Sequence, residues 1–287
     1  MTLTVGTAPF GNRPSGVFNR EMPERRGLIY FEDFLPRVRA RFAGETVVDS
    51  TRVKLLHEHG RLPVFYFPRD DVRTDLLEPT DHETHCPWKG DASYWSVRVG
   101  DRVAENAVWG YPEPVEGAPP IADHVACYWD PMDEWLQEDE QLIVHPRDPY
   151  HRVEVLDTSR QVKVSVAGEV VAESARVRVL YETTLPPRWY LPREDVRTEV
   201  LEPSDARTGC AYKGFASYFH VRIADTFEDD LVWTYPEPRV EAQRVEGYLC
   251  FFNERVDLEI DGELQKRPIT AWSRGRGVAT ADSDLLP

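Results

Sequence analysis

A cysteine and a lysine three residues apart, followed by a glycine, occur twice in this 287-residue sequence: Cys86 and Lys89 in CPWKG, Cys210 and Lys213 in CAYKG. A thiol beside an ammonium can ionise near neutral pH and attack as a thiolate. The same residues can equally be small buried thiols and lysines that fix a loop. A nucleophile would need a base, and no histidine stands at an equivalent place in both copies: His57 faces Tyr181, His85 faces Gly209 and Ser96 faces His220. The chain has only five lysines against 29 arginines, yet two of the five are Lys89 and Lys213. A compact ammonium, not a planar fork, is required there. It would pair with a buried carboxylate such as Asp71 or Asp195, or meet an anionic or carbonyl group of a ligand.

Other residues with chemistry recur with the same offset. Glu58 and Glu182 stand at the ends of apolar runs, where a strand end can deliver a carboxylate to a site, so both join the candidates for acid–base work. Glu113 and Glu237, in the PEP turns, read as solvated surface. Asp71 and Arg73, with Asp195 and Arg197, are two apart. They form either a structural ion pair or an arginine aimed at a ligand carboxylate or phosphate. Tyr94, Trp109 and Tyr111 match Tyr218, Trp233 and Tyr235. With Tyr66/Tyr190 and Trp88/Tyr212 they build either core or a concave aromatic pocket for a flat or cationic ligand. His82, His85 and Cys86 form H-x-x-H-C, but the second copy has Ala206, Gly209 and Cys210, so no shared metal site is expected.

The elements that position these residues follow from an internal duplication. Shifted by 124 residues, positions 64–114 match 188–238 at 27 of 51 places without a gap. A repeat of that size is a domain, not a solenoid unit. The first unit is expected over 37–145 and the second over 151–267, with HPRDPYH as linker. Residues 1–36 are read as an extension, mobile over its first 20 or so, and 268–287 as a disordered tail. VRARF and VKVSV alternate apolar and polar residues, and the AGE that follows each predicts a hairpin. VFYFP, YWSVRV and YFHVRI favour strands, and 23 prolines leave little room for helix. MDEWLQEDEQL is the best helical candidate. The expected fold class is all-β and mainly antiparallel, with two packed sheets per unit.

The ordered string Y-x-P-x-x-D-V-R, T-x-C-x-x-K-G-x-A-S-Y and W-x-Y-P-E-P resembles the DUF427 family, which also carries a nucleotidyltransferase label. Both units hold the full string. The resemblance implies two tandem domains similar to the Mss4-like, or β-tent, fold, whose relatives include the methionine sulfoxide reductase B and cereblon ligand-binding domains. Some of those hold zinc with paired cysteines, which this chain lacks; others hold a ligand in an aromatic cage. The transferase label finds no glycine-rich phosphate loop and no Gly-Ser followed by paired aspartates.

The formal charge of −16 argues against nucleic acid and anionic membrane as partners. No apolar stretch approaches the roughly 18 residues of a membrane span. The N-terminus lacks a basic region followed by an apolar run, and four scattered cysteines make no disulfide framework, so a cytoplasmic protein is expected. The leading expectation is a small-molecule binding module without cofactor or metal. Its pocket residues would be Tyr66, Arg73, Cys86, Trp88, Lys89, Tyr94, Trp109 and Tyr111, mirrored by Tyr190, Arg197, Lys213, Tyr218, Trp233 and Tyr235. The competing readings are an enzyme using Cys86, Lys89, Glu58 or their partners Cys210, Lys213 and Glu182, a transferase, or an interaction scaffold.

Overall fold

Alternation of side chains sets the strands. In VRARF, Val38, Ala40 and Phe42 are buried while Arg39 and Arg41 turn outward, the period-two pattern of a strand with one face in a core. The chain reverses at Ala43 and Gly44, both at positive φ (50° and 84°), and returns antiparallel. That is the mirror-image turn a tight hairpin requires. The computed structural model describes residues 3–21 and 25–273.

The chain divides into two compact units at Asp148/Pro149. The first contains β1 (Ile29–Asp33), β2 (Val38–Phe42), β3 (Glu45–Ser50), β4 (Lys54–Glu58), β5 (Val64–Pro68), β6 (Leu77–Cys86), β7 (Gly90–Val99), β8 (Arg102–Gly110), β9 (His124–Cys127), β10 (Glu134–Gln137) and β11 (Glu140–Leu142). They form a seven-stranded sheet in the order β1-β4-β5-β9-β8-β7-β6 and a four-stranded sheet in the order β11-β10-β2-β3. The second contains β12 (Val153–Asp157), β13 (Val162–Val166), β14 (Glu169–Ser174), β15 (Arg178–Glu182), β16 (Arg188–Leu191), β17 (Leu201–Cys210), β18 (Gly214–Ile223), β19 (Thr226–Thr234), β20 (Leu249–Phe251), β21 (Asp257–Ile260) and β22 (Glu263–Leu264). Its sheets run β12-β15-β16-β20-β19-β18-β17 and β14-β13-β21-β22, the same arrangement. Every strand pair within these sheets is antiparallel, so the fold is all-β and tandemly duplicated.

In the first unit the main core joins Val38, Ala40, Leu55, Phe65, Phe67, Val108 and Trp135. Each fully buried side chain of that size contributes roughly 1.5–3 kcal/mol. Leu56 and Tyr66, next to Leu55 and Phe65 on β4 and β5, form a separate cluster with Tyr94, Tyr111 and Ala126. This second cluster is where the candidate site lies.

Three local expectations are corrected. MDEWLQEDEQL folds as the hairpin β10–β11, not as a helix. Trp135 is buried opposite Ala40, and Glu138 turns at φ 50° with its carboxylate accepting the Arg37 N–H (2.8 Å). Tertiary burial outweighs weak helix propensity there. The N-terminal residues dock: Val5 and Ala8 are buried, the Gly60 N–H donates to Thr4 O (3.1 Å), and the Thr4 hydroxyl donates to Glu58 O (3.1 Å). Residues 268–273 also pack, with Trp272 against the second core; the rest of the expected tail, 274–287, lies outside the described residues. β1 lies before residue 37 and pairs along β4, as β12 does along β15.

Candidate functional site

Cross-strand register assembles the aromatic residues. Tyr94 on β7 stands opposite Trp109 on β8, Trp109 opposite Ala126 on β9, and Ala126 opposite Tyr66 on β5. Residues directly opposite on adjacent strands share a face, so these four make one row across the sheet. Ala126 keeps the middle of the row low. Burial pushes the Tyr66 and Tyr111 hydroxyls well above the usual tyrosine range, so both stay protonated.

Lys89 reaches this row from the β6–β7 turn, where its N–H donates to Cys86 O (3.2 Å). Gly90 follows at φ 105°, and a Cβ there would lie 3.1 Å from Glu113 O. The PEP turn therefore packs its backbone onto this glycine, and Val115 N–H donates to Lys89 O (3.2 Å). Gly214 repeats the arrangement at φ 95°, 3.2 Å from Glu237 O. Lys89 Nζ donates to Glu58 Oε2 at 2.5 Å and lies 5.6 Å from the Tyr111 ring. Both charged side chains are largely buried, 9% and 14% exposed. The carboxylate partner is thus Glu58, at the end of β4, and not Asp71. Asp71 instead binds the Ser50 hydroxyl (2.6 Å) and the Arg52 guanidinium.

These groups line one cavity of about 410 Å³. Its wall includes Glu58, Tyr66, Cys86, Lys89, Tyr94, Trp109 and Tyr111. Arg61, Leu62, Val64, Tyr128, Trp129, Trp135 and His145 also line it, and the sequence reading missed all of these. Trp129 and Trp135 stack at 4.8 Å, and Trp109 meets Tyr128 at 4.4 Å. Of the first unit's expected pocket residues, Arg73 and Trp88 lie outside this lining. Arg73 is an exposed partner of Asp75 (2.7 Å) and Glu45 (3.6 Å). Arg197 likewise pairs with Glu199 (3.0 Å) and Glu169 (3.2 Å). Neither arginine pairs with the aspartate two residues before it. Trp88 is 41% exposed, and its ring lies against Gly27, where a Cβ would approach to 2.4 Å. Cys86 is half-buried in the wall; Cys127 is buried, and burial pushes its thiol up to about 12.

The histidines of H-x-x-H-C take separate partners. The His82 ring packs 4.4 Å from Tyr94, and His85 Nδ1 lies 2.6 Å from Asp91 Oδ1. Among the described residues, no three His, Cys, Asp or Glu side chains are grouped to hold a metal ion. No described helix is long and apolar enough to cross a membrane.

The sequence matches the domain of unknown function DUF427 over residues 31–138 and again over 154–262. The chain belongs to the DUF427 family. No curated protein matches it.

The second DUF427 unit builds the same row, with Tyr218 opposite Trp233, Trp233 opposite Cys250 and Cys250 opposite Tyr190. The Trp233 indole N–H donates to the Tyr190 hydroxyl at 3.0 Å. Lys213 again pairs with the matching glutamate, Glu182, and here His151 adds a contact from Nε2 to Glu182 Oε1 (3.1 Å) while stacking on Tyr212 at 4.0 Å. Burial alone would raise the Glu182 carboxyl; the Lys213 ammonium and the His151 hydrogen bond outweigh it and bring it down to about 2. Burial works against the Lys213 charge, and Glu182 outweighs that too, holding the ammonium above the usual lysine range.

The row in this unit carries an ion pair of its own. Arg188 donates two hydrogen bonds to Glu254 (2.7 and 2.8 Å), with side chains 5% and 0% exposed. Its guanidinium lies 5.5 Å from the Trp233 ring and 5.8 Å from Phe252. Thr270 donates to Glu254 (2.6 Å), and Trp272 lies 5.5 Å from the guanidinium.

Proposed function

We propose that this DUF427 chain is a small-molecule binding protein and that its first unit holds the ligand. The observation that carries the reading is the cavity of about 410 Å³ in which an ion pair, a thiol and several rings converge. Small-molecule sites are typically concave, mostly apolar and furnished with a few placed polar groups. The expected pocket in each repeat narrows to the first, because the Arg188–Glu254 pair sits over the matching rings of the second. The second unit then serves as a scaffold. Reaction at lysine is the poorer reading: each ammonium is already engaged by a largely buried carboxylate, Lys89 by Glu58 and Lys213 by Glu182. The acidic chain has little to offer nucleic acid, and its four unpaired cysteines support a cytoplasmic setting.

The test is ligand-dependent melting against a metabolite panel, repeated with Trp109→Ala. A compound that raises the melting point of the parent and not of the variant supports the reading. A panel on which no compound does so, with Trp109→Ala still folded, overturns it in favour of a scaffold.

A further inference from the structure

The two units place matching rings on matching strands and differ at three positions around them. Arg188 in the second unit corresponds to Val64 in the first and His151 to Gly27; at the same offset the buried Glu254 meets an exposed Asp130, in a connection that is one residue shorter in the second unit. In the second unit the Arg188 guanidinium lies over Trp233 and Phe252, whose rings are 4.5 Å apart. Trp109 and Tyr128 form the corresponding pair at 4.4 Å. Val64 carries no guanidinium to lay over those rings, and Val64, Trp109 and Tyr128 all line the cavity. One copy therefore contains, within its own chain, the kind of group this ring pair accommodates.

The carboxylate wall differs in the same direction. Both Glu182 oxygens are engaged, one by Lys213 and one by His151. In the first unit Lys89 takes Glu58 Oε2, but Gly27 brings no side chain to the other oxygen. Among the described residues Oε1 meets Arg61 at 3.7 Å, longer than a hydrogen bond, and the Arg61 side chain is 74% exposed. A carboxylate oxygen with open acceptor capacity thus borders a cavity whose ring faces carry negative potential. Such a combination favours a cation with N–H donors. A flat, delocalised cation stacks on indole and phenol and loses less hydration than a compact ammonium. The Lys89–Glu58 pair is neutral as a whole, so the pull on a cation comes from the ring faces and from the open Oε1 acceptor, while the exposed Arg61 can turn to solvent.

We infer that the first unit binds a small molecule through a planar cationic head of the guanidinium or amidinium class, laid on Trp109 and Tyr128 with an N–H donated to Glu58 Oε1. This rests on the binding reading above and supplies the ligand's chemistry.

The test is calorimetric titration of the full chain with four probes of one shape: butylguanidinium, its neutral isostere butylurea, butylammonium and pentanoate. Butylguanidinium is expected to bind one site per chain, at least about tenfold tighter than butylurea. The double variant Val64→Arg/Asp130→Glu, which rebuilds the second unit's internal pair in the first, is expected to lose that affinity about tenfold or more, and so is Tyr128→Ala should the double variant fail to fold. Equal or tighter binding of butylurea, butylammonium or pentanoate overturns the inference. So does butylguanidinium binding that both variants leave unchanged. If all four probes fail while a panel metabolite still stabilises the chain through Trp109, the cationic assignment falls alone and the binding reading stands. If the panel fails as well, both fall.

Discussion

Replacing Lys213 by methionine keeps a chain of similar length and removes the ammonium that faces Glu182, whose side chain is 6% exposed. In the folded protein that carboxyl lies at about 2 against an ordinary 4.5. At about 1.4 kcal/mol per pH unit, the difference is about 3 kcal/mol of stability at neutral pH. Because the folded value is the lower one, this contribution is fully present above 4.5 and is lost as pH falls from there toward 2. Lys213 supplies the larger part of this and His151 the rest, so Lys213→Met is expected to cost about 2–3 kcal/mol at pH 7, or about 10 °C in melting of the second unit. The variant should also reverse the acid limb. An uncompensated buried carboxylate is relieved by protonation, so the gap to the parent closes as pH drops to 4. Lys213→Met/Glu182→Leu, which removes both charges, should recover to within about 1 kcal/mol of the parent. Urea unfolding followed by tryptophan emission at pH 7 and pH 4, with a transition allowed for each unit, measures all of this. A single variant costing under about 1 kcal/mol, or a double variant no better than the single, would refute the claim that lysine is kept there to neutralise a buried glutamate.

Two further outcomes follow from local geometry. Gly90→Ala is expected to cost about 2 kcal/mol, because an L side chain at φ 105° is strained and its Cβ meets Glu113 O at 3.1 Å. Gly44→Ala, also at positive φ but with nothing within 4 Å, should cost less, and chemical denaturation of the two variants gives the comparison. In a thiol titration of the native protein, Cys86 and Cys210 should react first and Cys127 and Cys250 only on unfolding, since burial raises both of the latter thiols; four thiols reacting at one rate would contradict that burial.

The duplication was legible because an ungapped offset of 124 carries strand register with it. Residues that match in type at that offset, such as Trp109 and Trp233, stand at matching ladder positions. Glu58 was legible as a strand-end carboxylate, but its pairing with Lys89 was not, since the two are 31 residues apart and meet only through the sheet. Arg73 and Arg197 drew attention by recurring in both copies. They recur because each ties a surface loop to nearby carboxylates, which a duplicated fold retains as readily as a site. Matching hid the rest. At the offset of 124 Trp129 and Trp135 meet Asn253 and Glu259, so a search for shared residues passes over them; the register has slipped by one there, and Leu258 is the residue that stands where Trp135 does. Val64 against Arg188 is a mismatch of the same kind: the second copy lays a guanidinium over its rings and the first has none there. The hairpin β10–β11 was misread because its apolar spacing suits a helix equally well, and only the pairing of Trp135 with β2 selects the strand.

Arg188 is held at its rings by the backbone of β16 itself. A group on so short a leash meets its rings without having to be captured from solution. The second half of the molecule is consequently self-sufficient from the moment it folds, whatever the metabolic state of the cell. On the proposed binding reading the first half lacks that autonomy, and its resistance to heat and proteolysis is expected to rise with the supply of its ligand.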